Sequence, residues 1–375
     1  MTEHPSLTTA LHHEIVRALE AAGGWIGFDQ FMALALYAPG LGYYANRLPK
    51  FGQMPASGSD FVTAPELSPL FGQVLAAQVA EALDATGTDE VWEFGAGSGA
   101  LASQLLDALG ERVRRYTIVD LSGTLRERQQ AALAAHAPKV QWLNALPEAM
   151  QGVIVGNEVL DAMPVKLLAR YGSDADGVWH ERGVALEQGA LAWADRPTDL
   201  RPPIRIPGPH NYLTEIHPQG EAFIATLADR LLTSVRQGGK GGAAFFIDYG
   251  FPEGEYYHQQ RHMGTVMCHR LHKSDDNPLA DVGLKDITAH VNFTGVALAG
   301  QDAGLNVLGY TSQGRFLLNC GLVDALERAS TPERIMAHKL LAEHEMGELF
   351  KVVGFCTGEP WAARGFAHGD RCHAL

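Results

Sequence analysis

Residues 90–99 read Glu-Val-Trp-Glu-Phe-Gly-Ala-Gly-Ser-Gly, an apolar run that breaks into three alternating glycines. The helix-patterned segment SGALASQLLDAL follows at once. A strand that turns this tightly into a helix needs residues that accept positive φ and let a ligand approach the backbone, and glycine does both. A lone G-x-G-x-G is a weak signal, so its context decides. RRYTIVDLS reads as a second strand, TLRERQQAALAAHA as a second helix, KVQWL as a weaker third strand and QGVIVGNEVLDAMP as a fourth, broken at Pro164. After the helix EAFIATLADRLLTSV, GGAAFFIDYG is a fifth strand, apolar almost throughout. Short apolar strands alternating with helices of about a dozen residues specify a parallel sheet with helical crossovers, an α/β fold.

Two residues narrow the ligand. Asp120 stands at the end of the second strand, 21 positions after Gly99. An acid there can accept both hydroxyls of a ribose. The glycine spacing is not G-x-G-x-x-G, and Glu93 sits just ahead of the turn. A carboxylate in that place repels a pyrophosphate but suits a ligand that carries a cationic amine. The pair points to S-adenosylmethionine rather than NAD.

The 375-residue chain excludes several classes. Its formal charge of −14 (29 Lys+Arg against 43 Asp+Glu) repels nucleic acid phosphates on average. The locally basic HRLHK at 269–273 reads as a solvated loop. Four cysteines at 268, 320, 356 and 372 form no CxxC pair, which speaks against a zinc ribbon or redox motif and fits a reducing compartment. No run of 18 apolar residues predicts a membrane span. The N-terminus has neither the basic start and apolar core of a signal peptide nor an Arg-rich, acid-poor transit pattern, so a bacterial cytoplasmic location is expected. Glycine is in excess, 41 of 375 against a usual ~7%, which asks for turns and close backbone approach.

Elsewhere the chain reads as helices over 7–22 and FDQFMALALY, then a polar, Gly-rich stretch over 41–65 taken as an ordered binding loop, then a helix over 68–84. Residues 167–194 read as short antiparallel strands, and RPPIRIPGPHN as a Pro-rich connector. Residues 251–290 are long and weakly periodic. FTGVALAGQDA is a helix, and LNVLGYTS and ELFKVVGF are strands. The expected organisation is an N-terminal helical cap and site-covering segment (1–85), a core (86–358) with insertions at about 167–215 and 251–290, and a tail (359–375).

DFVTAPELSPLFGQ, VWEFGAGSGALA, YTIVDLSGTLRERQ, VIVGNEVLDAMPV, FFIDYG and DITAHVNF occur in that order. Together they resemble the MidA family of class I S-adenosylmethionine-dependent methyltransferases, over roughly residues 10–355. Mitochondrial members of that family are complex I assembly factors that methylate a protein arginine. The resemblance implies a Rossmann-like, seven-stranded, mostly parallel sheet in the order 3-2-1-4-5-7-6, with the last strand antiparallel. It places Glu93, Gly95, Gly97 and Gly99 in the cofactor loop, Asp120 on the ribose, and Leu121 and Ser122 beside the adenine. Asn157 and Glu158 match the family's NE pair, and Phe61, Thr63 and Glu66 match a segment that covers the site.

Methyl transfer from a sulfonium needs alignment and desolvation, with no metal and no covalent intermediate. A guanidinium can be held by carboxylates so that one nitrogen faces the methyl. Glu158 is the first candidate for that task and Asp161 the second, with capping of a following helix as the competing role for either. Asp60, Thr63 and Glu66 could close over the cofactor, or Pro65-Glu66 could simply begin a helix. Asp248 and Tyr249 end the fifth strand and are expected to face one crevice, the tyrosine stacking on a guanidinium. Asp286, His290 and Asn292 are placed near a helix start, where a four-residue spacing resembles a metal pair or a base with its orienting acid. No third ligand is evident, so His290 is given a hydrogen-bonding role and no metal is expected. A protein substrate is expected, with no nucleic acid, no membrane span, and a homodimer left open. Two other readings stay open: a small-molecule methyltransferase, and a non-catalytic assembly protein of the same fold.

Overall fold

The computed structural model describes residues 4–46, 62–120, 123–172, 177–208 and 210–375. The chain divides into two compact units, one of residues 1–61, 161–220 and 251–292, the other of residues 62–160, 221–250 and 293–375.

The second unit is built on seven strands. In chain order they are Glu90–Phe94, Arg115–Val119, Val140–Leu143, Gly152–Asn157, Gly242–Phe251, Asn306–Ser312 and Phe350–Cys356. Numbered one to seven, they lie in the order 6-7-5-4-1-2-3. Strands one to five pair in parallel, and strand seven runs antiparallel to both strand five and strand six. This is the class I methyltransferase topology that the family resemblance implies. Strands one, four and seven are buried along their whole length, as strands covered on both faces must be.

Helices cover the sheet because their apolar residues recur at helical spacing. Ala100–Leu109 buries Leu101, Ala102, Leu105, Leu106 and Leu109. The helix expected over 68–84 is Leu70–Thr86, with Pro69 at its N-cap, and a separate one-turn helix, Ala64–Leu67, precedes it. Gly87, at φ +62, ends it by sending its N–H back to Asp84 and Leu83. The C-terminal residues also belong to this core. Phe366 is 6% exposed and lies over Gly309 and Gly354, where an added Cβ would come within 2.1 and 2.8 Å of its ring. Around it, Gly365 N–H donates to Gln78 Oε1 at 2.7 Å, and Tyr310 N–H to Asp370 Oδ1 at 2.9 Å.

The first unit packs Leu11, Ile15 and Leu19 of helix His4–Ala21 with Phe28, Phe31, Met32 and Leu36 of helix Phe28–Tyr37. Its antiparallel sheet runs Trp25–Gly27, Trp179–Glu187, Lys166–Arg170, Tyr212–Ile216, with Ala190–Pro197 added to the second of these. The Pro-rich connector is tied down by buried Arg170, whose guanidinium donates to the carbonyls of Ile206 and Gly208 and lies 5.4 Å from the Trp179 ring. Residues 251–290 contain a three-stranded sheet of Lys273–Asp275, Met267–Arg270 and Asp286–Thr288. Asp286 is therefore in a strand, and the next helix begins only at Phe293. The four-residue spacing to His290 does not put the two side chains on one helix face. No helix among the described residues is long and apolar enough to cross a membrane.

Phe366→Ala should lower stability by about 3 kcal/mol, because it empties a site lined by two glycines that cannot collapse inward. Equilibrium urea unfolding reads this, and an unchanged midpoint would show that the C-terminal segment does not seal the sheet.

Candidate active site

The register of the parallel strands assembles the site. Phe94 pairs with Val119 on one side and Gly156 on the other. The residues that follow, Gly95, Asp120 and Asn157, therefore emerge at one level at the carboxyl ends of strands one, two and four. The strand order reverses between strands one and four, and ligands of open α/β sheets bind outside the strand ends at such a reversal.

Gly95, Gly97 and Gly99 have φ of +64°, +52° and +86°, a region that side chains disfavour. A Cβ on Gly95 would come 3.1 Å from Val159, and one on Gly99 3.4 Å from the Gln129 Cα. Gly99 is also the N-cap of Ala100–Leu109 and brings no capping side chain, so the positive end of the helix adjoins the turn. Glu93 is buried, and Tyr116 Oη donates to its Oε2 at 2.7 Å. Burial pushes its carboxyl up to about 7. The charge of Asp120 acts in the same direction and the Tyr116 bond opposes both.

Asp120 Oδ2 accepts from Gln129 Nε2 at 2.8 Å. The same nitrogen donates to the Gly97 carbonyl at 3.1 Å, and Trp142 Nε1 donates to Gln129 Oε1 at 2.9 Å. The sequence reading passed over Gln129, which looks like any polar residue of an amphipathic helix. Leu121, Ser122, Asp60 and Phe61 lie outside the described residues.

Thr63 is the N-cap of Ala64–Leu67, and Glu66 falls in its first turn, as the simpler reading of Pro65-Glu66 had it. Glu66 also bonds to Ser98 of the glycine turn. Burial raises its carboxyl above the ordinary value, against the Ser98 bond and the Arg128 charge. Gln104 holds this segment in place: its Nε2 donates to the Pro65 carbonyl, and its Oε1 accepts from Gly72 N–H.

Asn157 Nδ2 donates to Glu158 Oε1 at 3.0 Å, while Asn157 Oδ1 is buried and has no hydrogen-bond partner among the described residues. A buried acceptor in that condition at a strand end suits a ligand donor. Glu158 has φ +54, unusual for a side chain with a Cβ, and its N–H donates to the Ile247 carbonyl. No helix starts here, since 158–163 form a turn, so helix capping is not the role of Glu158 or Asp161. Two expectations for Asp248 and Tyr249 change. Asp248 accepts the N–H groups of Val159, Leu160 and Tyr249, so it braces the turn after strand four. Tyr249, as the next strand residue, points to the opposite face and lies edge-on to Phe350 at 5.4 Å.

Asp161 and His290 belong to the first unit. Asp161 is buried and its carbonyl accepts from Ala289 N–H. In the same unit Tyr44 Oη donates to Asp286 Oδ2 at 2.9 Å, and burial first, then Asp286 and Asp161, push that phenol well up. His290 N–H donates to Thr265 Oγ1 and its ring lies 5.3 Å from Phe251. The neighbouring His217 is pushed down to about 4 by burial and by His290.

Comparison with known proteins agrees with this geometry. Residues 74–311 match the family described as "Putative S-adenosyl-L-methionine-dependent methyltransferase". A crystal structure from Burkholderia thailandensis, bound to S-adenosyl-homocysteine, is 47% identical, superposes with a TM-score of 0.92, and is covered over 100% of this chain and 99% of that one. The Caenorhabditis elegans protein arginine methyltransferase NDUFAF7 homologue is 26% identical, covering 86% of this chain and 79% of that protein. Human NDUFAF7 is 25% identical, covering 87% and 79%. The matched family, the sheet order and the glycine turn agree: this chain belongs to the MidA family of S-adenosylmethionine-dependent methyltransferases.

Proposed function

We propose that this enzyme binds S-adenosylmethionine across the glycine turn of the seven-stranded unit and methylates an arginine guanidinium on a protein. The observation that carries the binding reading is the single sheet level from which Gly95, Asp120 and Asn157 emerge. Glu93 there faces the amino-acid end of the cofactor as a carboxylate, Asp120 takes the ribose hydroxyls, and Asn157 Oδ1 accepts from a cofactor donor. Thr63 and Glu66 close the turn from the N-terminal side. Bound S-adenosylmethionine supplies a methyl group on a positively charged sulfur.

The chain's own residues then need only hold and orient the nucleophile. Glu158 has the strained backbone that holds a carboxylate in a fixed direction at the strand end, and it orients the guanidinium with one nitrogen toward the methyl. The C–N bond forms as the S–C bond breaks, and the guanidinium proton passes to a carboxylate or to water. Neither Asp161 nor His290 takes part in this transfer. Arginine as substrate is supported by relatives named protein arginine methyltransferases at 25–26% identity. A subunit of respiratory complex I is the target suggested by the family resemblance.

Three experiments test the reading. Gly97→Val should keep the fold and weaken S-adenosylhomocysteine binding by about 100-fold or more, because a branched side chain at φ +52 fills the cofactor's approach. Unchanged affinity by calorimetry would remove the turn from the site. Glu158→Gln should keep cofactor affinity and slow methyl transfer by about 100-fold or more. Protein methyl-arginine, lost from the proteome when the gene is deleted and unrestored by this variant, is the readout; normal restoration would clear Glu158 of its role.

The third experiment uses pH. The folded-state pKa of Glu93, about 7, lies above its ordinary 4.5, so its contribution to stability is fully present below about 4.5 and lost as pH rises through 7. Without added cofactor, Glu93→Gln should remove that decline. Cofactor affinity in the wild type should rise over the same interval as the carboxylate forms. Stability curves that run parallel for the two proteins would contradict the assignment.

A further inference from the structure

We infer that Gln129 is a positioning residue for the cofactor: it sets the carboxylate of Asp120 for the ribose hydroxyls and couples that carboxylate to the glycine turn. This inference rests on the reading of Asp120 as the ribose-binding acid.

The geometry supplies the argument. Gln129 is fully buried, on the helix Gly123–Ala132. An amide side chain can point either way round, and here its neighbours decide. The indole N–H of Trp142 is a donor only, so the amide oxygen must face it, at 2.9 Å. The amide nitrogen then faces two acceptors, Asp120 Oδ2 at 2.8 Å and the Gly97 carbonyl at 3.1 Å. One hydrogen goes to each.

The terminal torsion of an aspartate is soft, with a broad preference. A buried donor on one oxygen narrows that torsion before any ligand arrives. The second hydrogen binds the carbonyl of the central glycine of the turn, so a shift in the turn moves the acid as well. Gly99 lies beside the same residue, since a Cβ there would sit in contact with the Gln129 Cα at 3.4 Å. One glutamine thus joins the loop of strand one, the acid of strand two and the indole of strand three.

The role predicts a change in ligand selectivity, which a packing role would not produce. Affinities of the full chain for S-adenosylhomocysteine and for its 2′,3′-dideoxy analogue would be measured by calorimetry. The wild type should prefer the ribose form. Gln129→Met keeps the volume and removes both donors, and should shrink that preference by about ten-fold while the dideoxy ligand binds nearly as before. Trp142→Phe releases only the amide oxygen and should shrink it by less, which provides a readout if Gln129→Met does not fold. Asp120→Ala should abolish the preference. Equal weakening of both ligands in the Gln129 and Trp142 variants, or no weakening, overturns the inference while leaving Asp120 on the ribose. A wild type with no preference for the ribose form, or an Asp120→Ala variant that retains one, overturns the reading of Asp120 and this inference with it.

Discussion

The pairing of Phe94 with both Val119 and Gly156 is the constraint on which the site depends. In a parallel sheet a shift of one residue turns every side chain to the other face. Such a shift would take Asp120 away from the glycine turn and Asn157 out of line with both. The register is held by features with no part in the chemistry. Strand four begins at Gly152, where a Cβ would come 2.2 Å from the Glu90 carbonyl, and strand five begins at Gly242, where one would come 1.8 Å from the Gly152 carbonyl. Close approach of bare backbones therefore aligns the strand starts, and the strand ends fall into line as a result.

Asp248 shows how a carboxylate at a strand end can serve the scaffold. It gathers three backbone N–H groups and fixes the turn after strand four. That turn carries Glu158 in a backbone conformation that costs on the order of 1–3 kcal/mol and persists only when its surroundings hold it. The acid expected to touch substrate is the one that holds its neighbour in place.

What the sequence made legible was local. Glycines that alternate after an apolar run, and an acid at the next strand end, announce themselves by spacing, and all seven strands of the sheet could be read from apolar runs. The failures came where meaning depends on distant partners. DITAHVNF resembles a helix entry, yet Asp286 pairs with His269 and Thr288 with Met267 in a small sheet. Trp25–Gly27 is too short to read as a strand and becomes one only by pairing with Gly183–Ala185. Tyr249 next to Asp248 suggested a shared crevice, but strand alternation separates them. Gln129 gave no signal, because its three hydrogen bonds reach back 32 and 9 positions and forward 13.

The antiparallel strand Phe350–Cys356 is last of the seven in chain order, yet it lies between strands five and six rather than at an edge. During synthesis the chain therefore emerges with Gly242–Phe251 and Asn306–Ser312 both complete and no ladder between them. The edge of the first waits 99 residues, from 251 to 350, and that of the second 38, from 312 to 350. Unpaired edges of this kind are where partly made chains associate wrongly. A chaperone that shields nascent β edges would have its main use on this protein late in translation, when most of the glycine turn's scaffold already exists and the sheet that completes it does not.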